Sequence, residues 1–291
     1  MKQAIIDIGS NSIRLTLYEI ENSSFKILFR EKIMAGLAGY VENGALSAEG
    51  MECACAGLLT FRSILQTLHI EHISVFATAS LRNISNTQQA LGIIRAATGY
   101  SVEVLSGESE ALLGYAGAMQ ELHLRSGAFL DIGGASTEIV TFDEGKPVDF
   151  ASFPIGSLSL YRRCVKRILP GQGSLKRLQQ EIDKNIQPGH AVLAERPLLV
   201  GVGGTARAAF KLAQHYYKIS SDCHTITAGQ LNGLCSFLCS GKKEASDLIL
   251  RLEAERIHTL VPGVLILQHI FQLFGAQQLI ISKYGVREGY L

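Results

Sequence analysis

The sequence predicts an α/β protein assembled as two copies of one plan. Asp7-Ile8-Gly9 returns later in the chain as Asp131-Ile132-Gly133, and the flanking text aligns, "IIDIGSNSIRL" with "FLDIGGASTEI". Runs of strand-like alternation then trade places with helix-like periodicity in the same order after each motif. At 291 residues the chain also exceeds what one hydrophobic core usually fills, so two domains are expected, 1–124 and 125–291.

The first copy opens with an apolar run into Asp7, a small polar turn, and a second run in which Ile13, Leu15 and Leu17 alternate with Arg14, Thr16 and Tyr18. A third alternating run follows over 25–33, then a long amphipathic helix near 47–69. A strand at 73–77, a helix at 87–97, a short strand at 102–105 and a helix at 108–122 complete a βββαβαβα order. The second copy reads as strands at 127–132, 137–143 and 147–153, helices at 156–167 and 174–185, a strand at 198–202 and a helix at 204–217. Two or three helices fill 227–273, and a strand at 277–282 is the last predicted element, with no helix after it. Duplicated α/β domains of this kind are expected to face one another across a cleft into which both Gly turns point.

Composition narrows the function classes. Hydrophobic residues make up 47% and charged residues 18%, an ordinary soluble balance. The apolar stretch "PGVLILQHIFQLF" is too short to span a bilayer, and the N-terminus lacks a signal peptide's basic start and apolar core, so a cytoplasmic protein without membrane contact is expected. Net charge is +1 but uneven: residues 1–124 hold 8 Lys/Arg and 12 Asp/Glu, residues 125–291 hold 19 and 14. The excess sits in 160–185, where seven cations face Glu181 and Asp183; this speaks against duplex nucleic acid and suits a smaller polyanion. Six cysteines show no CxxC pair, and Cys223, His224, Cys235 and Cys239 are poorly spaced for zinc, so reduced thiols are expected.

Three small-residue turns carry the chemistry: Gly9-Ser10-Asn11-Ser12, Gly133-Gly134-Ala135-Ser136-Thr137, and Gly203-Gly204-Thr205 within "VGVGGTARA". Turns without bulky side chains let main-chain N–H groups close on phosphate oxygens. The third runs from strand into helix, so a phosphate could also meet a helix N-terminus. The first two join strand to strand, which excludes the Walker and dinucleotide-binding motifs. A carboxylate precedes each of these two, and acids beside phosphates call for a cation between them. Asp7 and Asp131 are therefore candidate ligands of a hydrated Mg²⁺.

These stretches, with "ATASLRNISN", "LSGESEALLGYAGA", "FPIGSLSL" and "YGVREGYL", resemble the exopolyphosphatase and guanosine pentaphosphate phosphatase family across essentially the whole chain. The resemblance implies two ribonuclease-H-like domains of the actin-like ATPase superfamily and hydrolysis of terminal phosphoanhydride bonds in polyphosphate or guanosine pentaphosphate. It implies Glu110 as the residue that activates water, Arg82 as a phosphate grip, and Glu138 near the metal. A carboxylate at a helix start beside phosphates can accept the proton of an attacking water, although a favourable helix-dipole charge would explain Glu108 equally.

Several positions depart from the family pattern. Ala135 takes the place of a third glycine, which would strain the loop if a positive φ were needed there. Ser80 replaces a small apolar residue, His258 a common Asp, and Ser159 a frequent Arg. The sequence ends at Leu291, as expected of a short form lacking the C-terminal helical domain, and a homodimer partner could cover the last strand's face. Two other readings stay open: a polyphosphate- or nucleotide-binding protein weakened in catalysis by Ala135 and His258, and an ATP-dependent kinase of the same superfamily.

Overall fold

The structure is a computed structural model and describes residues 1–22, 24–187 and 195–291. The chain divides into two compact units, Met1–Gly107 together with Leu291, and Glu108–Tyr290.

In the first unit β1 (Lys2–Ile8), β2 (Ile13–Glu21) and β3 (Ser24–Ile33) form an antiparallel meander. A short ribbon follows, β4 (Val41–Glu42) with β5 (Ala45–Leu46), then α1 (Ala48–Thr67), β6 (His72–Ala77), α2 (Ala79–Arg82), α3 (Thr87–Thr98) and β7 (Glu103–Val104). The sheet order is β3-β2-β1-β6-β7, with β6 parallel to β1 and β7. The alternation read from the sequence has its physical basis here. Ala4, Ile6 and Ile8 of β1 join Ile13, Leu15 and Leu17 of β2 in one core under Met51, Leu58, Phe61 and Leu65 of α1. Ser47 caps α1 by accepting from the Gly50 N–H at 3.2 Å.

The second unit opens with α4 (Gly107–Leu122), then repeats the meander as β8 (Gly127–Ile132), β9 (Thr137–Asp143) and β10 (Lys146–Phe153). After α5 (Ser157–Cys164) and α6 (Gln172–Asn185) come β11 (Leu198–Val202), α7 (Gly203–Tyr217), β12 (Thr225–Thr227), α8 (Ala228–Leu238), α9 (Lys243–Glu253), α10 (Leu260–Leu273), β13 (Gln278–Ile281) and α11 (Val286–Tyr290). The order β10-β9-β8-β11-β13-β12 reproduces that of the first sheet, with β12 added antiparallel at the edge. β8 is buried on both sides. Ala128, Leu130 and Ile132 face the large core built by α5 to α10, and Phe129 joins Ala111, Tyr115 and Ala118 of α4 on the other side.

The differences from the sequence reading lie mostly at short elements. The ribbon β4–β5, the edge strand β12 and the one-turn helix α2 carry too few residues for a periodic signal. α5 stops at Cys164 rather than 167 because Val165 turns to an extended conformation (φ −116°, ψ 124°). A helix does follow the last strand: α11 is short, but present. β13 lies inside its sheet between β11 and β12, with Leu279 fully buried.

The division at 124/125 read from the repeat gives α4 to the first half, whereas α4 packs with the second unit. Its small residues explain why. A Cβ on Gly117 would fall 2.0 Å from the Gly285 carbonyl oxygen, and one on Gly289 would fall 1.9 Å from that of Leu113. Backbone thus meets backbone where α11 crosses α4. Polar contacts finish the seam: Glu121 Oε2 accepts from the Ser282 hydroxyl at 2.8 Å and the Lys283 N–H at 2.7 Å, and Gln120 donates to the Glu288 carbonyl at 3.1 Å. The closing "YGVREGYL" is therefore a clamp on the helix that carries Glu110. Gly289→Ala, which forces the two backbones apart, should lower stability by about 2 kcal/mol or more in urea unfolding. Gly92→Ala, on α3 with nothing within 4 Å of its new methyl, should raise it by about 0.5–1 kcal/mol.

Candidate active site

The second Asp turn is fixed from behind. The Gly133 N–H donates to the Ser136 carbonyl at 2.9 Å, closing the turn between β8 and β9. Its carbonyls are then taken by the first residues of α5: Gly133 O accepts from the Ser157 N–H (2.9 Å) and hydroxyl (3.0 Å), and Gly134 O from the Leu158 and Ser159 N–H groups, each at 2.9 Å. With those carbonyls engaged, the N–H groups of Gly134 and Ala135 have no acceptor among the described residues. Such a run of main-chain donors is suited to an anion. Gly156 makes the close approach possible, since a Cβ there would lie 2.5 Å from both the Ala135 nitrogen and the Gly134 carbonyl carbon. Ala135 itself has no positive φ, so its methyl imposes no backbone strain.

The third turn stands beside the second. Thr205 at the start of α7 donates its hydroxyl to the Ile132 carbonyl at 2.9 Å, at the end of β8. Gly203 has φ +75°, and a Cβ there would fall 2.2 Å from Asp131 Oδ1. Glycine is required twice over, by conformation and by the carboxylate against it. A Cβ on Gly204 would fall 1.8 Å from Arg256 Nη2, so a guanidinium lies directly over the turn. Arg256 is held by Glu253 at 3.5 Å; burial lowers its pKa, while Glu253, Glu255 and Asp131 oppose that shift. Gly263 of α10 closes the cluster, where a methyl would meet the Thr205 methyl at 2.5 Å.

Three acids share this end of the sheet. Asp131 and Glu138 face each other across the β8–β9 ladder. Burial raises the Glu138 pKa well above its ordinary value, the charges of Glu110 and Asp131 raise it further, and the hydroxyls of Ser136 and Ser152 pull the other way. The Ser152 hydroxyl donates to Glu138 Oε1 at 2.9 Å. Glu110 is 8% exposed, in the first turn of α4. Mutually repelling buried carboxylates call for a proton or a cation.

In the first unit the same backbone device recurs. Gly9 N–H donates to Ser12 O at 3.1 Å, and the carbonyls of Ser10 and Asn11 accept from Ala38 and Gly36 at 2.9 Å each. The side chains differ, for Asp7 sits opposite Arg14 where Asp131 sits opposite Glu138. Arg14 Nε donates to the Ser12 hydroxyl at 3.0 Å. Ser80 donates its hydroxyl to the Ile8 carbonyl, tying α2 to the end of β1, and Arg82 Nη1 donates to the Leu105 carbonyl at 3.0 Å.

Comparison with known proteins agrees with this architecture. Residues 16–291 match the Ppx/GppA phosphatase family. The chain belongs to that family. A Haemophilus influenzae protein provisionally named an exopolyphosphatase is 29% identical over 99% of this chain and 90% of its own length. The crystal structure of the Aquifex aeolicus member of the Ppx/GppA family superposes with a TM-score of 0.78 at 26% identity, covering 100% of this chain and 96% of that one. A Cytophaga hutchinsonii exopolyphosphatase shares the fold at TM-score 0.88 and 22% identity, over 99% and 96% of the two chains. Both units therefore have the actin-like fold, and this Ppx/GppA chain is an enzyme of the phosphoanhydride-hydrolase class.

Of the residues singled out from sequence, the second unit brings together Glu110, Asp131, Gly133, Gly134, Ala135, Ser136, Glu138, Gly203, Gly204 and Thr205. Thr137 borders them, but its fully buried hydroxyl is engaged by the Ile155 carbonyl at 2.6 Å. Asp7, Gly9, Ser10, Asn11, Ser12 and Arg82 belong to the first unit. Arg256 escaped the sequence reading. Its signal lay in "ERIHTLVPG", two residues before the His258 that drew attention, yet that His packs against Tyr161 in a tilted pair with ring centroids 4.9 Å apart. All six cysteines are free thiols. No three His, Cys, Asp or Glu side chains among the described residues gather closely enough to hold a metal by themselves, and no helix among them is long and apolar enough to cross a membrane.

Two predictions follow from this geometry. Gly156→Ala should push the turn off α5 and cut phosphate release strongly, whereas Ala135→Gly should leave it within about two-fold, because no left-handed backbone needs relieving there. In protein freed of divalent cations, Glu138 holds its proton more tightly folded than unfolded. Its contribution to stability is present below the ordinary value of 4.5 and lost as pH rises through the raised folded value. A melting series against pH should show that fall, and Glu138→Gln should flatten it.

Proposed function

We propose that this chain hydrolyses the terminal phosphoanhydride bond of inorganic polyphosphate or guanosine pentaphosphate, with Glu110 activating the water. The observation that carries this reading is the gathering of Glu110, Asp131 and Glu138 beside two turns whose main-chain donors suit phosphate oxygens. The exopolyphosphatase name of the Haemophilus influenzae relative supports the substrate class.

In this reading the water oxygen attacks the terminal phosphorus and passes its proton to Glu110. The bridging P–O bond breaks, releasing a phosphate and a chain shortened by one unit. Charge spreads over the phosphoryl oxygens in such a transition state, so positioning and electrostatics do most of the catalysis. The N–H groups of Gly134, Ala135 and Gly204 are placed to take it up, with Arg256 as a forked cation above Gly204. Arg82 and the Gly9–Ser12 turn enter on the family resemblance and the internal repeat.

The donors fit a hard divalent ion. Mg²⁺ takes one or two carboxylates and completes its shell with water and substrate phosphate, so no cage of three protein ligands is needed. Asp131 and Glu138 would hold it, with Asp7 as its counterpart in the repeat, and when bound it would neutralise phosphate charge.

Phosphate release from polyphosphate, guanosine pentaphosphate and ATP, measured with Mg²⁺, tests the proposal. Wild type should act on at least one of the first two, and Glu110→Gln should slow release about 10²–10⁴-fold while still binding substrate. Release that survives the substitution would remove Glu110 from its role. Binding without release, unchanged by the substitution, would make the protein a binding module, and phosphoryl transfer from ATP to an acceptor would make it a kinase.

A further inference from the structure

We propose that Glu253 is a positioning residue for the reaction: it ties the Arg256 guanidinium to α7, so that the fork stays over the Gly204 turn while phosphoryl charge develops. This rests on the hydrolase reading above and adds to it the group that orients its cation.

Arg256 reaches the turn from a short connection. It ends the single 3-10 turn Ala254–Arg256 between α9 and α10, and a long side chain rising from so short a segment has many rotamers to lose. Its guanidinium is nevertheless closely placed, since a Cβ on Gly204 would fall 1.8 Å from Nη2 and 2.4 Å from Cζ. The opposite side of the fork meets Glu253, whose Oε2 lies 3.5 Å from Arg256 Nε. That carboxylate is itself anchored. Its Oε1 accepts from Lys211 Nζ at 2.9 Å, and the same ammonium donates to the Leu252 carbonyl at 2.8 Å.

Lys211 and Gly204 both belong to α7. Seven positions are close to two helical turns, so the pair lies along one face about 10 Å apart. Glu253 therefore spans from Lys211 to Arg256. The guanidinium is registered against the helix whose first turn it covers, not only against the connection that carries it. Exposure separates this role from stability. The Lys211 side chain is 52% exposed, and an ion pair that wet adds little to folding. Arg256 and Glu253 are 18% and 21% exposed, so their attraction is less screened. Burial lowers the Arg256 pKa, and Glu253 leads the acids that oppose that shift. A cation in the wrong rotamer would leave the developing charge unmatched.

A double-mutant cycle on phosphate release tests this, with Mg²⁺ and with long polyphosphate and guanosine pentaphosphate as substrates. Glu253→Gln keeps the size of the side chain and removes its charge. It should lower kcat about ten-fold with KM within about two-fold, the pattern of a contact made in the transition state. Arg256→Gln should cost more. Adding Glu253→Gln to it should cost nothing further, because a residue that acts through Arg256 then has nothing to position. Equal fractional losses in both backgrounds would overturn the proposal, as would an unchanged kcat in either single variant. Should Glu253→Gln melt early, Lys211→Gln carries the same cycle from the exposed end of the bridge, with an expected loss of about three-fold and the same deciding outcomes. If wild type releases no phosphate, the hydrolase reading fails by itself, and the cycle is read on affinity for tripolyphosphate with Mg²⁺. Weaker binding in Glu253→Gln only while Arg256 is present would uphold the positioning role; equal weakening with and without Arg256 would end it.

Discussion

The organisation of the site depends on how the carbonyl oxygens of the two Asp turns are satisfied. A tight turn of small residues presents donors and acceptors together, and an anion tolerates only the donors. In each unit a later segment takes up the carbonyls from behind: Ser157 to Ser159 in the second, Gly36 and Ala38 in the first. What remains for a ligand is a run of N–H groups. This arrangement does not depend on a third glycine, which is why Ala135 can stand in the loop. Gly156 is the constrained position, and it lies outside the turn.

Around this backbone device the two copies have diverged in their side chains. Asp7 shares its ladder position with an arginine and Asp131 with a glutamate. The first arrangement sets a residue of opposite charge across the ladder from its acid. The second places Glu138 in a buried position where Asp131 and Glu110 both act against its charge. A site that concentrates negative charge and also offers donors to phosphate needs a proton or a cation to balance the acids, and the second unit holds the denser set of such groups. α4 brings Glu110 to it, and α11 holds α4 by backbone contact at Gly117 and Gly289. The closing segment of the chain thereby supports the residue proposed to activate water.

The duplication, the three-strands-then-helix order of each half and the positions of the turns were legible in the sequence because they rest on local signals. Apolar runs mark β1 and β8, period-two alternation marks β2 and β3, and small residues mark the turns that follow the two Asp strands. Asp131 was marked by its place before the second turn, whereas Glu110 and Glu138 were singled out by the family resemblance. Short elements such as α2, β4 and β12 were not legible, since too few residues carry too little pattern. Arg256 was hidden for another reason. One arginine in a polar stretch looks like any surface cation until its neighbours in space are known.

By itself, then, the sequence determined which segments become strands and helices, where the chain turns, and that the plan is used twice, because burial periodicity and turn chemistry act between near neighbours. Only the tertiary structure decided that α4 belongs with the second unit, that Arg256 lies over Gly204, and that Glu138 feels both Glu110 and Asp131. Those facts arise from close approach between residues far apart in the chain. Electrostatic coupling and backbone contact depend on distances of a few ångströms, which no local pattern encodes.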